Sequence, residues 1–223
     1  NIDPAEIEEA LLGHEAVAFA GAASAGTVTV TKQGSSAFGT PNWSKVVGIS
    51  SPSRTGGVNA GMFRLTGDNG MGDFVAFCVD LADSLNLPET YQMAPTLAPA
   101  SVMANVDKLF SSAYNSITDS VSAAGFQVAL WEIIEDTDPN NAPFDLNSGN
   151  FKMTSGEAAV KNAADGFLGG LAGAPTGQYK YTFLESKDGQ DLVTVAPVPV
   201  PAAGLLLLTG LGGFAALRRR RKS

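Results

Sequence analysis

One cysteine, Cys78, in 223 residues excludes an intramolecular disulfide framework. One histidine, His14, leaves no imidazole after residue 14, which argues against a Cys-His nucleophile pair and against a histidine-ligated metal in the body of the chain. Cations are scarce: 14 Lys and Arg stand against 22 Asp and Glu, and Arg218, Arg219, Arg220, Arg221 and Lys222 crowd the last six positions. Residues 1–217 therefore carry 9 minus 22, or −13. That sign is the opposite of what a nucleic-acid-binding body needs. A phosphate-binding glycine loop is also missing, since the glycines of "GFLGGLAG" follow a helical stripe and end it. No repeat is apparent, and nothing in the sequence implies a cofactor.

What is present suits a globular domain with appendages: 44% hydrophobic residues, 25 glycines and 12 prolines. Residues 1–25 read as a degenerate or truncated signal segment, with Ala23-Ser24-Ala25 as the small-residue cleavage pattern and Gly26 as the first mature residue. Residues 26–197 form the domain, with a charge of 9 minus 17, or −8. Residues 198–223 form the tail: Val198, Pro199, Val200, Pro201 and Ala202, then an apolar run to Leu217, then the basic end. The sixteen uncharged residues from Ala202 to Leu217 would cover roughly 24 Å as a helix, a marginal membrane span. The arginines after it would stay in the cytoplasm and leave the domain outside. This tail closely resembles the PEP-CTERM group of sorting signals in its VPLPA variety, with Val200 in place of the usual leucine. The resemblance implies a Gram-negative cell, a membrane-embedded exosortase as partner, and a route to the cell surface or extracellular matrix.

Within the domain, "GTVTVT" and "SKVVGIS" are strand candidates rich in β-branched residues. "AGMFRLT" and "DFVAFCVDL" flank Asn69-Gly70, a dipeptide that favours a tight hairpin turn. In the second strand Phe74, Ala76, Cys78 and Asp80 share one face, and Val75, Phe77, Val79 and Leu81 the other. A loop with Pro88, Pro95 and Pro99 follows. Ser101 then caps a helix with Val102, Val106, Leu109, Phe110 and Ala113 on one stripe. A second helix runs through "GFQVALWEIIED" with Phe126, Leu130, Ile133 and Ile134 inward. A third starts at a Thr154/Glu157 capping box and buries Val160, Ala164, Phe167, Leu168 and Leu171. "YKYTFLES" and "DLVTVA" close the domain as a hairpin. The expected fold is α+β: an antiparallel sheet or sandwich core with about three helices, plus the hydrophobic C-terminal helix.

Gln127 and Trp131 are four residues apart and share a helix face. Glutamine is mostly exposed in proteins and tryptophan mostly buried, so that shared face needs an explanation. Either Gln127 makes a buried hydrogen bond beside a core tryptophan, or its carboxamide meets the Cys78 thiol. Competing sites are weaker. Asp136, Asp138 and Asn140 open like a calcium loop, but Asn141 replaces the turn glycine and Asn147 the bidentate glutamate, so an ordinary turn is expected. Glu132, Glu135 and Asp136 read as a solvated helix face.

Phe77-Cys78-Val79 on a strand, followed by Phe126-Gln127-Val128-Ala129-Leu130-Trp131 on a helix, resembles the paired motifs of bacterial surface thioester domains. The matching stretch spans roughly residues 73 to 135, about a quarter of the chain. Two features depart from the family pattern. The Cys-to-Gln spacing of 49 (127 minus 78) is shorter than in Gram-positive members, and Phe126 stands where threonine often precedes the glutamine. The resemblance implies a thioester between Cys78 Sγ and the Gln127 side-chain carbonyl, formed with loss of ammonia. Trp131, Phe126 and Phe77 would shield it. An amine on a target, typically lysine, would open it and leave the protein covalently attached, a single-use reaction without turnover. A domain of the same scaffold that binds without the bond is the alternative. A hydrolase with Cys78 as nucleophile lacks its base.

Overall fold

The computed structural model describes residues 26–96, 99–136 and 144–199. The expected signal segment, the apolar tail with Val200, Pro201 and Ala202, and the Asp138, Asn140 and Asn141 positions lie outside these residues. Among the described residues no helix is long and apolar enough to cross a membrane.

Among the described residues nine strands and three α-helices give an α+β domain, β1 (Thr27–Lys32), β2 (Ser44–Ser50), β3 (Thr55–Gly61), β4 (Phe63–Gly67), β5 (Gly72–Cys78), β6 (Glu89–Ala94), α1 (Ala100–Ala113), α2 (Ser120–Glu135), β7 (Lys152–Ser155), α3 (Ala158–Gly169), β8 (Tyr179–Glu185) and β9 (Leu192–Pro197). Six strands close into a barrel in the order β1-β4-β5-β9-β8-β6, every pair antiparallel. Closure leaves no free edge in that sheet. The remaining strands form a separate antiparallel sheet, β3-β2-β7. The core is thus a barrel beside a small sheet, where the sequence suggested a sheet or sandwich.

The β4–β5 hairpin turns at Asn69 and Gly70 with φ of 52° and 84°, the left-handed pair that an Asn-Gly turn supplies. β5 then runs to Cys78, pairing with β4 on one side and, at Phe77↔Val193 and Cys78↔Leu192, with β9 on the other.

α2 begins five residues before the expected Gly125. The Asp119 carboxylate accepts from the Ser122 N–H at 2.7 Å, and the Ser122 hydroxyl accepts from the Asp119 N–H at 3.0 Å, a reciprocal cap. Every residue from Ala123 to Ile133 is buried, so this helix has no solvated face. It packs against β2 and β3, against β5, and against α1 and α3. Gly125 permits the α3 approach: a Cβ there would stand 2.6 Å from Ala163 Cβ.

Two expected caps are corrected. α1 starts after Pro99 with no side-chain cap, so Ser101 lies inside the first turn. Thr154 belongs to β7, and Glu157 takes the N-cap position of α3 without a side-chain capping bond. The expected solvated acidic face is corrected as well: Glu132 and Asp136 are buried, and Glu135 is half-buried with its carboxylate accepting from the Ser53 hydroxyl at 3.0 Å.

Candidate functional site

Cys78 stands at the end of β5, and Gln127 and Trp131 stand on successive turns of α2, which crosses that end. All three are closed to water, at 1%, 1% and 2% exposure. The Gln127 carboxamide is spread across the backbone of the residue that carries the thiol. Its Oε1 accepts from the Cys78 N–H at 2.8 Å, and its Nε2 donates to the Cys78 carbonyl at 2.8 Å. These bonds continue the strand's own pairing beyond its last residue and leave neither backbone group unsatisfied. They also fix the Gln127 carbonyl carbon opposite the Cα that bears the thiol.

The sulfur has its own partners. The thiol donates to the Asp80 carbonyl at 2.8 Å, and the Trp131 indole N–H donates to Sγ at 3.3 Å. Burial pushes the thiol pKa up to about 12; the Trp131 indole N–H and a backbone hydrogen bond of Asp80 act the other way, and the charges of Asp80 and Glu135 add to the rise. A group with that pKa is ionised in about one molecule in 10⁵ at pH 7. The sulfur therefore rests as a neutral thiol. Its nucleophilic form arises only if its proton leaves as it attacks.

Gln127 is the eighth residue of α2, so the free N–H groups of the helix start do not reach its carbonyl. The donor on Oε1 is the Cys78 N–H itself. It places one backbone donor on the oxygen where negative charge would develop if a nucleophile attacked the carbonyl carbon.

Phe77 and Phe126, the neighbours of Cys78 and Gln127, pack at a tilt with centroids 4.7 Å apart and meet Phe110 at 6.0 and 4.9 Å. They form a wall of aromatic packing next to the site. Trp131 is the aromatic residue whose contact with the sulfur is direct.

Sequence reasoning missed three participants. The Asp80 carbonyl and the Cys78 N–H are main-chain atoms with no side-chain signature. Tyr91, on β6, is fully buried with a hydroxyl that has no hydrogen-bond partner. Burial raises its pKa, and the nearby charges of Glu89, Asp191 and Cys78 raise it further. The alternation of Tyr91 and Met93 with polar Thr90 and Gln92 was the available signal for that strand. Among the described residues no cluster of His, Cys, Asp or Glu could hold a metal ion.

No family model matches the chain, and no curated protein matches it. Among solved structures it is similar to the N-terminal domain of the pilus tip adhesin Cpa of Streptococcus pyogenes, at 16% identity over 76% of this chain and 99% of that one, with a TM-score of 0.43. It is also similar to the N-terminal thioester domain of a surface protein from Clostridium perfringens, at 12% identity over 61% of this chain and 89% of that one, with a TM-score of 0.39.

Proposed function

We infer that this chain is an exported surface or matrix protein whose domain closes an internal thioester between Cys78 and Gln127 and uses it once, to attach itself covalently to an amine-bearing target. The observation that supports this most is the two-point hold of the Gln127 carboxamide on the Cys78 backbone. In closure, Sγ attacks the Gln127 carbonyl carbon, the thiol proton passes to the departing nitrogen, and ammonia leaves. The Cys78 N–H steadies the oxyanion. Loss of ammonia also removes the donor to the Cys78 carbonyl, so the closed state carries an unsatisfied buried acceptor that costs about 1–3 kcal/mol. The bond stores its own activation and is kept dry until a target arrives. On opening, the Trp131 N–H supports the departing sulfur. The tail, read as a sorting signal, would bring the protein through the inner membrane to an exosortase and from there to the surface of a Gram-negative cell. The protein would act without cofactor or turnover, and nucleic acid has no place in this reading.

A second reading, a scaffold that binds its matrix without the bond, has its own support. Both polar atoms of the Gln127 carboxamide and both sides of the thiol are already hydrogen-bonded, as in a purely structural buried network. Intact mass of the purified domain separates the two. The covalent reading predicts a deficit of one ammonia, absent in Cys78→Ala and replaced by a methylamine adduct on treatment with that amine. A full-mass protein whose thiol is alkylated quantitatively after unfolding would overturn it in favour of the scaffold.

A further inference from the structure

An open groove of about 750 Å³ lies against Trp131. Trp131 lines it, whereas Cys78 and Gln127 do not, although the same indole donates to Cys78 Sγ. The indole therefore stands between a solvent-filled groove and a sulfur that is 1% exposed. Around the rest of the site the neighbours are core: the Phe77, Phe126 and Phe110 rings on one side, and Phe151 with its centroid 6.4 Å from the indole. Any nucleophile must displace something to reach the Gln127 carbonyl, and of the sulfur's two hydrogen-bond partners Trp131 lines the groove, whereas the half-buried Asp80 does not.

We propose that this groove is the entrance for the target's lysine side chain and that Trp131 is the door between it and the thioester. The inference rests on the covalent reading above and adds to it a route and a recognition surface. The groove's walls suit the guest. Phe38, Phe63, Leu85 and Leu87 offer apolar contact to the four methylenes of a lysine, and Asp83 and Glu89 offer carboxylates to its ammonium. Lys32 and Arg54 also line the groove, so it carries both signs. Negative charge gathers beside it at Asp191, whose carboxyl pKa is raised first by burial and then by the charges of Asp80, Glu185 and Asp83. Gln190, another lining residue, donates from Nε2 to the carbonyls of Asp80 and Asp83 at 3.1 and 3.3 Å. It thereby ties the groove's loop to the carbonyl that accepts from the thiol.

The step at the end of the route balances. The amine nitrogen, having shed its ammonium proton to water, attacks the Gln127 carbonyl carbon. The new C–N bond replaces the C–S bond, and one of the two amine protons passes to sulfur while the other stays on the amide nitrogen. The products are an amide and the neutral thiol, which is the form that burial favours.

The test fills the groove from two separate elements without touching the site, with Ser84→Trp in the β5–β6 loop and Asn59→Trp on β3, both at exposed positions. In protein that carries the ammonia deficit, each variant should keep the deficit and react with Nα-acetyl-lysine amide about tenfold more slowly or worse. Unchanged rates in both would overturn the entrance. If wild-type protein shows no deficit, the covalent reading fails by itself, and the route is then measured on the free thiol of the folded protein with iodoacetamide. The same slowing in both variants would uphold the door, and equal alkylation rates would overturn it.

Discussion

Where β5 meets α2, two side-chain pairs stand one residue apart. Phe77 packs at a tilt against Phe126, and the Cys78 backbone faces the Gln127 carboxamide. Both pairs are closed to water, but they are held by different physics. The phenyl pair belongs to an aromatic cluster with Phe110 and Tyr114 that gains from area and shape, and its contacts have no required direction. The polar pair depends on two bonds of 2.8 Å with fixed donors and acceptors. The aromatic wall fixes the spacing of strand and helix, and the polar pair uses that spacing to hold the Gln127 carboxamide on the backbone of the residue that carries the thiol.

Breaking each pair separately tests this division. Phe126→Ala should cost about 3–5 kcal/mol through lost burial and a cavity. Gln127→Leu, which keeps apolar bulk but strands the Cys78 N–H and carbonyl, should cost about 2–4 kcal/mol. Urea unfolding of both variants in a Cys78→Ala background, which forms no thioester, measures the packing and hydrogen-bond terms without the covalent bond. If Gln127→Leu proved neutral there, the two-point hold would have no energetic weight and the comparison would fail.

The next effect is a pH dependence carried by the sulfur. The thiol pKa rises from 9.0 to about 12 on folding, so folding favours the protonated form. Its contribution is fully present below pH 9, falls as pH rises, and is gone above the folded value. The loss should reach about 2 kcal/mol by pH 10.5. Buried phenols such as Tyr91 and Tyr181 add an alkaline slope of the same sign, and Cys78→Ala retains theirs. The difference between free-thiol protein and Cys78→Ala, followed by urea unfolding from pH 8 to 10.5, isolates the sulfur. Protein with a closed thioester has no thiol to titrate and should follow Cys78→Ala.

Legibility in the sequence followed the range of the interactions. The β4–β5 hairpin was readable because Asn69-Gly70 and the alternation around Cys78 are local signals. β3, "TGGVNAG", was not, because its glycines carry no hydrophobic period and the strand exists only through pairing with β2. β6 was lost among the prolines around it. The start of α2 was missed because its reciprocal cap uses Ser122 where the usual pattern has Glu or Gln. Barrel closure depends on registers between distant strands and leaves no local trace. At the site, Cys78, Gln127 and Trp131 were legible as residue types whose chemistry demands a partner. The bonds that position them run largely to main-chain atoms, which every residue has.

The smallest expected effect is also the one that separates structural from chemical needs most sharply. The Tyr91 hydroxyl is buried without a hydrogen-bond partner, in a neighbourhood that includes Cys78 and the carboxylates of Glu89 and Asp191. An unpaired buried hydroxyl is a cost to the fold, so Tyr91→Phe should stabilise the domain by about 1 kcal/mol. The aromatic ring and its packing inside the barrel stay in place. A gain in stability would mark the hydroxyl as a group the fold alone does not need, as with polar groups kept near reacting atoms. A loss of stability would mean that the hydroxyl is hydrogen-bonded in solution, and the surroundings of the sulfur would then be more thoroughly paired, closer to the balanced network of the scaffold reading.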